Sequence, residues 1–340
     1  MHPRLQWPVC LLLLLTLLAA CAGPAGDPTP STRMRPAPAA LGAHNDTSTP
    51  FNLSSVPALA AHRYDGRALR LDHVVARELA FTRYHVSYRS GDLTISGVMN
   101  VPTRRGRFPL LILAHGYRNP DDYRTGDGLT REQAHLAAAG YVVFQPDYRN
   151  FGGSELEGPW TVAQPLGYAE DLVNAVLAVD RADLPYVDES RVGVFGRSMG
   201  GGVTLNALAA RPDLFDAAVL YAPVSSRAAD NFDRWVRGRD GSDLEARVAA
   251  TYGLPEDNPL FWSEASARTY LDRVDVPVQI HHGTADPICP VAWSRATADA
   301  FRRTGNPVRL YEYPGQVHGF DQAWPAMMRR SVEFLGEHLR

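Results

Sequence analysis

The spacing of hydrophobic positions changes along the chain, and each change predicts an element. Tyr84–Tyr88 and Leu93–Val101 alternate apolar and polar residues as half-exposed strands do, and Ser90-Gly91-Asp92 supplies the turn between them. The runs Leu110-Leu111-Ile112-Leu113-Ala114 and Tyr141-Val142-Val143-Phe144 are apolar throughout, as expected of strands buried on both faces. Between them, Arg131–Ala139 is helical in character and stops at Gly140. Gly167–Arg181 then gathers Leu172, Val173, Val176, Leu177 and Val179 largely on one helical face. Further buried strands are predicted at Val192–Phe195, Ala217–Tyr221, Val276–His281 and Val308–Tyr313, with helices between or after them. This alternation predicts an α/β fold: a mostly parallel sheet with an antiparallel start and helices on both faces.

Two intervals break the rhythm. Residues 51–80 carry modest helical patterning and are expected to pack on the outside of the main body. Residues 223–265 hold no core strand but concentrate Trp235, Tyr252, Phe261 and Trp262, which marks a cap inserted between two strands. Its aromatics either line a substrate pocket or pack the insertion onto the body, since both environments use the same residue types.

The N-terminus follows a different logic. Behind Arg4, the run Val9–Ala20 is apolar except for Thr16. About twelve residues suit the core of a secretory signal, whereas a membrane-spanning helix needs about twenty. The run ends in Leu18-Ala19-Ala20-Cys21, which resembles the lipobox of bacterial lipoproteins. That resemblance implies cleavage after residue 20, lipidation of Cys21, and export to the bacterial cell envelope with the chain held on a membrane. Residues 21–43 are rich in Pro, Ala, Gly and Ser/Thr, as in a flexible tether, and residues 44–340 form the folded domain.

Composition narrows the chemistry. The chain has 340 residues, 45% hydrophobic and 21% charged, with a net charge of −3, so no basic face suggests a nucleic-acid partner. Every Lys-or-Arg position is arginine, which excludes Schiff-base lysines, Ser–Lys dyads and a P-loop lysine. Of three cysteines, Cys10 lies in the signal and Cys21 is the lipidation site. Cys289 is left as a buried packing residue rather than a nucleophile.

The stretch Val194-Phe195-Gly196-Arg197-Ser198-Met199-Gly200-Gly201 runs from a buried strand through Gly-X-Ser-X-Gly into a helix at Val203–Ala210. A nucleophilic serine on a tight strand-to-helix turn needs glycines two residues to either side, because the backbones there approach closely. A hydroxyl also needs a base to take its proton and an acid to orient that base, in the chain order Ser, Asp or Glu, His. His318 lies in the glycine-flanked loop Pro314-Gly315-Gln316-Val317-His318-Gly319-Phe320, just after a strand. Its rivals His281 and His282 end an apolar strand, and His338 lies in the last helix. Asp286 leaves a strand in His282-Gly283-Thr284-Ala285-Asp286-Pro287, whereas Asp275 precedes that strand. Ser198, Asp286 and His318 are therefore the expected triad. The backbone N–H groups of Met199 and Tyr117 are the expected oxyanion donors, with Gly116 allowing the turn and His115 shaping the loop. Arg197 either reaches into the pocket to meet a carboxylate or stands exposed on the elbow.

These motifs resemble the α/β-hydrolase superfamily, and within it the catalytic domain of prolyl oligopeptidases and dienelactone-hydrolase-like esterases. The narrower resemblance rests on Pro146-Asp147-Tyr148-Arg149-Asn150-Phe151-Gly152-Gly153-Ser154, the elbow around Ser198, and Val276 through Phe320. It implies Ser–Asp–His hydrolysis of ester, amide or short-peptide bonds through an acyl-enzyme, with no cofactor or metal. Fewer than about sixty residues separate tether and sheet, too few for the β-propeller of full-length prolyl oligopeptidases. Without that gate, esterase and peptidase activities both stay open. A catalytically silent lipoprotein that uses the same body to bind ligands is the alternative.

Overall fold

The computed structural model describes residues 54–157, 164–239 and 243–339. The predicted signal, tether and Cys21 lie outside them.

Nine strands form one sheet: β1 (Arg67–Arg77), β2 (Phe81–Ser90), β3 (Leu93–Pro102), β4 (Phe108–Ala114), β5 (Val142–Pro146), β6 (Val187–Arg197), β7 (Ala217–Tyr221), β8 (Val278–Gly283) and β9 (Val308–Tyr313). Their order across the sheet is β1-β2-β3-β5-β4-β6-β7-β8-β9. Pairing is antiparallel from β1 through β3 to β5, then parallel from β5 through β4 to β9. The antiparallel start, the parallel remainder and the helices on both faces are those expected of the α/β fold.

The sheet's two-residue period sorts the core. Leu110, Ile112, Val142, Phe144 and Val194 face one side, where they pack with helices α3 (Gln164–Ala182), α4 (Met199–Ala210) and α8 (Val291–Arg303). Leu111, Leu113, Val143, Phe195 and Val219 face the other, against α2 (Thr130–Ala139) and α9 (Trp324–His338). Val-, Leu- and Ile-rich runs with no polar face form strands here because both faces are covered.

Residues 51–80 differ from expectation. Among the described residues of this span, one short helix, α1 (Val56–Ala61), is followed by β1, an edge strand. Most of its side chains are exposed or half-buried, so no strong apolar alternation marks it; Leu69 and Leu71 lean on the core while Arg67, Arg70 and Arg77 stay in water. Charged side chains on an edge strand protect it from pairing with another chain.

Between β7 and β8 the described residues form three helices, α5 (Ala228–Trp235), α6 (Leu244–Tyr252) and α7 (Pro259–Glu264), then a 3₁₀ segment, Ala267–Arg273. Phe232, Val236, Val248 and Trp262 make a small core of their own there. Tyr252 stacks on Phe261 with ring centroids 4.5 Å apart, and Phe232 packs on Trp262 at 4.9 Å. Tyr252, Phe261 and Trp262 thus pack the insertion, while Trp235 meets Trp293 of α8 at 5.5 Å.

Candidate active site

Ser198 sits between the end of β6 and the start of α4 with φ 55° and ψ −120°, a conformation that side-chain-bearing residues rarely adopt. Two glycines make the turn possible. A Cβ on Gly200 would fall on the Ala114 carbonyl, and one on Gly196 would collide with Thr204 and the Gly200 carbonyl. The turn is held by the Ser198 N–H, which donates to the Tyr221 carbonyl at 3.0 Å. The Ser198 carbonyl accepts from Gly201 and Val224 at 2.9 and 3.1 Å.

His318 and Asp286 meet although 32 residues separate them: His318 Nδ1 donates to Asp286 Oδ2 at 2.7 Å. The carboxylate is an acceptor, so Nδ1 carries the proton and Nε2 presents a lone pair. The second carboxylate oxygen accepts from the Ile288 and Cys289 N–H groups at 2.8 and 3.0 Å. Burial pushes the Asp286 carboxyl up, but hydrogen bonds from His282 and His318, the His318 ring itself and the Cys289 N–H outweigh it and hold the group well below the usual carboxylate range.

Tyr221, the last residue of β7, joins the two halves of the site. Its carbonyl takes the Ser198 N–H, and its hydroxyl donates to the Gly319 carbonyl, beside His318, at 2.6 Å. Ser198 and His318 are thereby fixed to one strand end. Five of the seven described non-glycine residues with positive φ gather at the strand-end side of the sheet: Tyr148 and Asn150 after β5, Ser198 after β6, Ala222 after β7 and Phe320 after β9. Strain of this kind collects at functional sites, where the surrounding structure holds it in place.

The expected oxyanion loop runs alongside the serine. A Cβ on Gly116 would lie 3.1 Å from the Ser198 Cβ, so the loop passes directly beside Ser198. Tyr117 follows with its side chain exposed. Met199 is the first residue of α4, so its N–H has no acceptor within the helix. His115 is fully buried, with Nε2 2.9 Å from the Asp147 carbonyl and Nδ1 2.8 Å from the Gly116 carbonyl. Burial lowers the ring below its ordinary value, against the pull of those two carbonyls. The Asp147 carboxylate is anchored in turn by the Ser96 and Tyr123 hydroxyls and the Gly126 N–H, at 2.5, 2.8 and 2.8 Å.

Arg197 is half-buried. Its guanidinium lies over the Tyr221 ring, 5.2 Å from the centroid, with Nη1 3.5 Å from the Gly128 carbonyl. Neither expected position describes it: it covers the tyrosine that carries the elbow. Cys289 is fully buried between Asp286 and Ser198, and burial beside the Asp286 charge pushes its thiol up to about 12 despite a hydrogen bond with Ser198. A thiol in that state is a poor nucleophile.

His282 is the contributor that spacing did not single out. Fully buried, it places Nε2 2.8 Å from the Cys289 carbonyl and 3.3 Å from Asp286 Oδ2, while Nδ1 lies 2.6 Å from the Ser294 hydroxyl. Nε2 must hold the proton, because both of its neighbours only accept. The adjacency of His282 to the loop bearing Asp286 was the available signal. By contrast, His281 is spent on the Tyr313 hydroxyl and the Gln279 amide, and His338 lies near Glu337 in α9. Among the described residues, no three His, Cys, Asp or Glu side chains converge as a metal site.

Comparison with known proteins places these elements in context. An uncharacterized peptidase of Bacillus subtilis, YuxL, is 27% identical over 63% of this chain and 31% of its own length. An acylamino-acid-releasing enzyme of Arabidopsis thaliana is 26% identical over 63% of this chain and 28% of its own. The chain thus matches under a third of the length of these relatives. Among solved structures, the acetyl xylan esterase from Paenibacillus sp. R4 superposes with a TM-score of 0.64 at 19% identity, covering 84% of this chain and 92% of that one. The acylaminoacyl peptidase of Pyrococcus horikoshii gives 0.62 at 22% identity, covering 76% and 42%. At those identities the structures share the fold. The sequence model of the prolyl oligopeptidase family matches residues 128–340, a stretch that contains Ser198, Asp286 and His318, and the chain belongs to that family.

Proposed function

We propose that the chain is a serine hydrolase that cleaves ester, amide or short-peptide bonds, with Ser198 as nucleophile, His318 as base and Asp286 as its orienting acid. The observation that carries this reading is the 2.7 Å His318–Asp286 hydrogen bond, fixed through Tyr221 to the edge where the strained Ser198 emerges. His318 Nε2 takes the hydroxyl proton as Ser198 attacks the carbonyl carbon, and the Asp286 carboxylate stabilises the imidazolium. The N–H groups of Tyr117 and Met199 hold the developing oxyanion, and the positive end of α4 adds to them. His318 returns the proton to the leaving alcohol or amine. Water, deprotonated by the same ring, then releases the acid from the acyl-enzyme.

Peptidase and esterase chemistry both run through this sequence. Relatives named as peptidases and a fold neighbour named as an acetyl xylan esterase support the pair of activities without choosing between them. Reaction of the full chain with a fluorophosphonate probe tests the reading. Labelling should occur in the parent, vanish in Ser198→Ala and fall sharply in His318→Ala. An unlabelled, folded parent would overturn it in favour of a binding protein. Rates on p-nitrophenyl esters against aminoacyl-p-nitroanilides then choose the substrate class.

The N-terminal reading belongs to the same proposal. Export and lipidation at Cys21 put the hydrolase in the cell envelope, on the strength of the Leu18-Ala19-Ala20-Cys21 motif. In a bacterial host fed a clickable fatty acid, the parent should take up label and move to the membrane fraction. Equal labelling of Cys21→Ser would refute the assignment.

A further inference from the structure

Away from the triad, a cavity of about 240 Å³ opens where α5, α7 and the 3₁₀ segment Ala267–Arg273 meet. Its walls combine two guanidiniums, Arg227 and Arg268, with the apolar bodies of Pro255, Pro259 and Trp262 and the hydroxyl of Ser263. No lining side chain is a carboxylate, and none belongs to the proposed triad or oxyanion loop.

The charge in this cavity is poorly compensated. Arg268 is anchored by its own N–H, which donates to the Ser226 carbonyl at 3.0 Å, and by Nε, which donates to the Ser226 hydroxyl at 2.8 Å. Its Nη2 is buried with no hydrogen-bond partner among the described residues. Burial works against the Arg268 charge; Asp230 supports it, and the neighbouring Arg227 and Arg303 oppose it. Asp230 is itself shared, since Arg227 Nη1 lies 3.2 Å from its Oδ1. The cavity's two guanidiniums thus share one neighbouring carboxylate, which leaves positive charge in excess. A half-buried guanidinium without a full complement of acceptors is unfavourable, and a planar oxyanion matches its fork of N–H groups.

We propose that this cavity binds a small carboxylate with an apolar body, its charged end on Arg227 and Arg268 and its body against Trp262, Pro255 and Pro259. The mixed walls set the class. A strongly hydrated inorganic anion would leave the apolar surface unfilled, and a neutral apolar molecule would leave Arg268 Nη2 without an acceptor. The segments around the cavity belong to both the insertion and its junction with the body, so an occupant tethers α5 and α7 to the 3₁₀ segment.

The test is calorimetric titration of the full chain with benzoate, benzamide or inorganic phosphate. It is run before and after fluorophosphonate treatment, which keeps ligands off Ser198. Benzoate should bind saturably in both states, with benzamide and phosphate weaker by about tenfold. Arg268→Gln and Arg227→Gln should each weaken benzoate by about fivefold to tenfold. Arg268 also braces Ser226, so a misfolded Arg268→Gln leaves the decision to Arg227→Gln, whose parent side chain is 55% exposed and outside the core. Equal affinity for benzoate and benzamide, phosphate binding as tightly as benzoate, unaltered binding in Arg227→Gln, or no saturable binding would each overturn the proposal. None of these results bears on Ser198 labelling, so the site and the hydrolase reading stand or fall separately.

Discussion

Three donors converge on one carboxylate at Asp286, two backbone N–H groups on Oδ1 and the His318 ring on Oδ2, and the His282 ring lies 3.3 Å from Oδ2. A carboxylate so surrounded has little freedom to rotate, and the imidazole it orients inherits that rigidity. His282 is therefore a positioning residue rather than part of the reacting set. His282→Leu should fold and cut kcat/KM on an activated ester by about tenfold, since losing the hydrogen bond to the Cys289 carbonyl loosens the loop that holds Asp286. His282→Gln, which can still donate, should recover part of the loss. Equal rates for the two variants would remove His282 from the account. Asp286 also gives a pH prediction. Its carboxyl is depressed in the folded state, so its contribution to stability is complete above the ordinary carboxylate range and is lost as pH falls through the folded value. In urea unfolding, the parent should exceed Asp286→Asn by about 1.5–3 kcal/mol at neutral pH, and the gap should close only in strong acid. A gap that widens on acidification would contradict this. The meeting of His318 with Asp286 and the strained turn at Ser198 were legible in the sequence because each residue has a local signature, a glycine-framed turn or a strand exit. Tyr221 was not legible, since its contacts run across strands that no local pattern encodes, and His282 left only its place beside the Asp286 loop as a mark.

The elements differ in how plainly they were written. Strands buried on both faces, such as β4 and β5, stand out because nothing polar interrupts them. β1 was invisible for the opposite reason: an edge strand with most side chains in water has no apolar alternation to read. The helices of the insertion left only their aromatics as a mark, and those turned largely inward to a small core. The joint between β6 and α4 yields a paired prediction. Gly200→Ala would drive a methyl group into the Ala114 backbone, which has no rotamer to yield, and should cost about 3 kcal/mol or more in denaturant unfolding. Gly116→Ala meets the Ser198 Cβ at 3.1 Å and the Arg197 carbonyl at 3.4 Å, far looser than the Gly200 clash, and its own backbone is outside the left-handed region. That variant should stay within about 1 kcal/mol of the parent while fluorophosphonate labelling slows, because the crowding falls on Ser198. Equal damage to stability in both variants would show that the two glycines serve the same purpose.

Across the whole molecule, Arg149 connects segments that are distant in sequence. Its side chain is 3% exposed. It donates through Nε and Nη2 to the two oxygens of Asp171 at 3.0 and 2.7 Å, through Nη2 to Glu170 at 2.7 Å, and through Nη1 to Glu157 at 2.6 Å. Asp171 also takes the Ser90 hydroxyl at the end of β2, and Glu170 meets His62, just past α1, at 2.9 Å. The loop after β5, helix α3, the first hairpin and the N-terminal segment therefore share one buried ionic network. The same loop carries Tyr148, whose ring stacks on His115 at 4.4 Å, so the network also supports the loop after β4. Burial pushes the Asp171 carboxyl up while the Arg149 cation pulls it down, and without that cation two carboxylates would share a dry site. Arg149→Met should therefore lose about 3–5 kcal/mol in urea unfolding, the penalty for a buried charge left unpaired. The double variant Arg149→Met/Asp171→Leu removes charge from both sides and should be more stable than the single one, because the cost arises from the stranded carboxylate rather than from the lost attraction. If the double variant instead lost the sum of two independent penalties, Arg149 would act through packing alone.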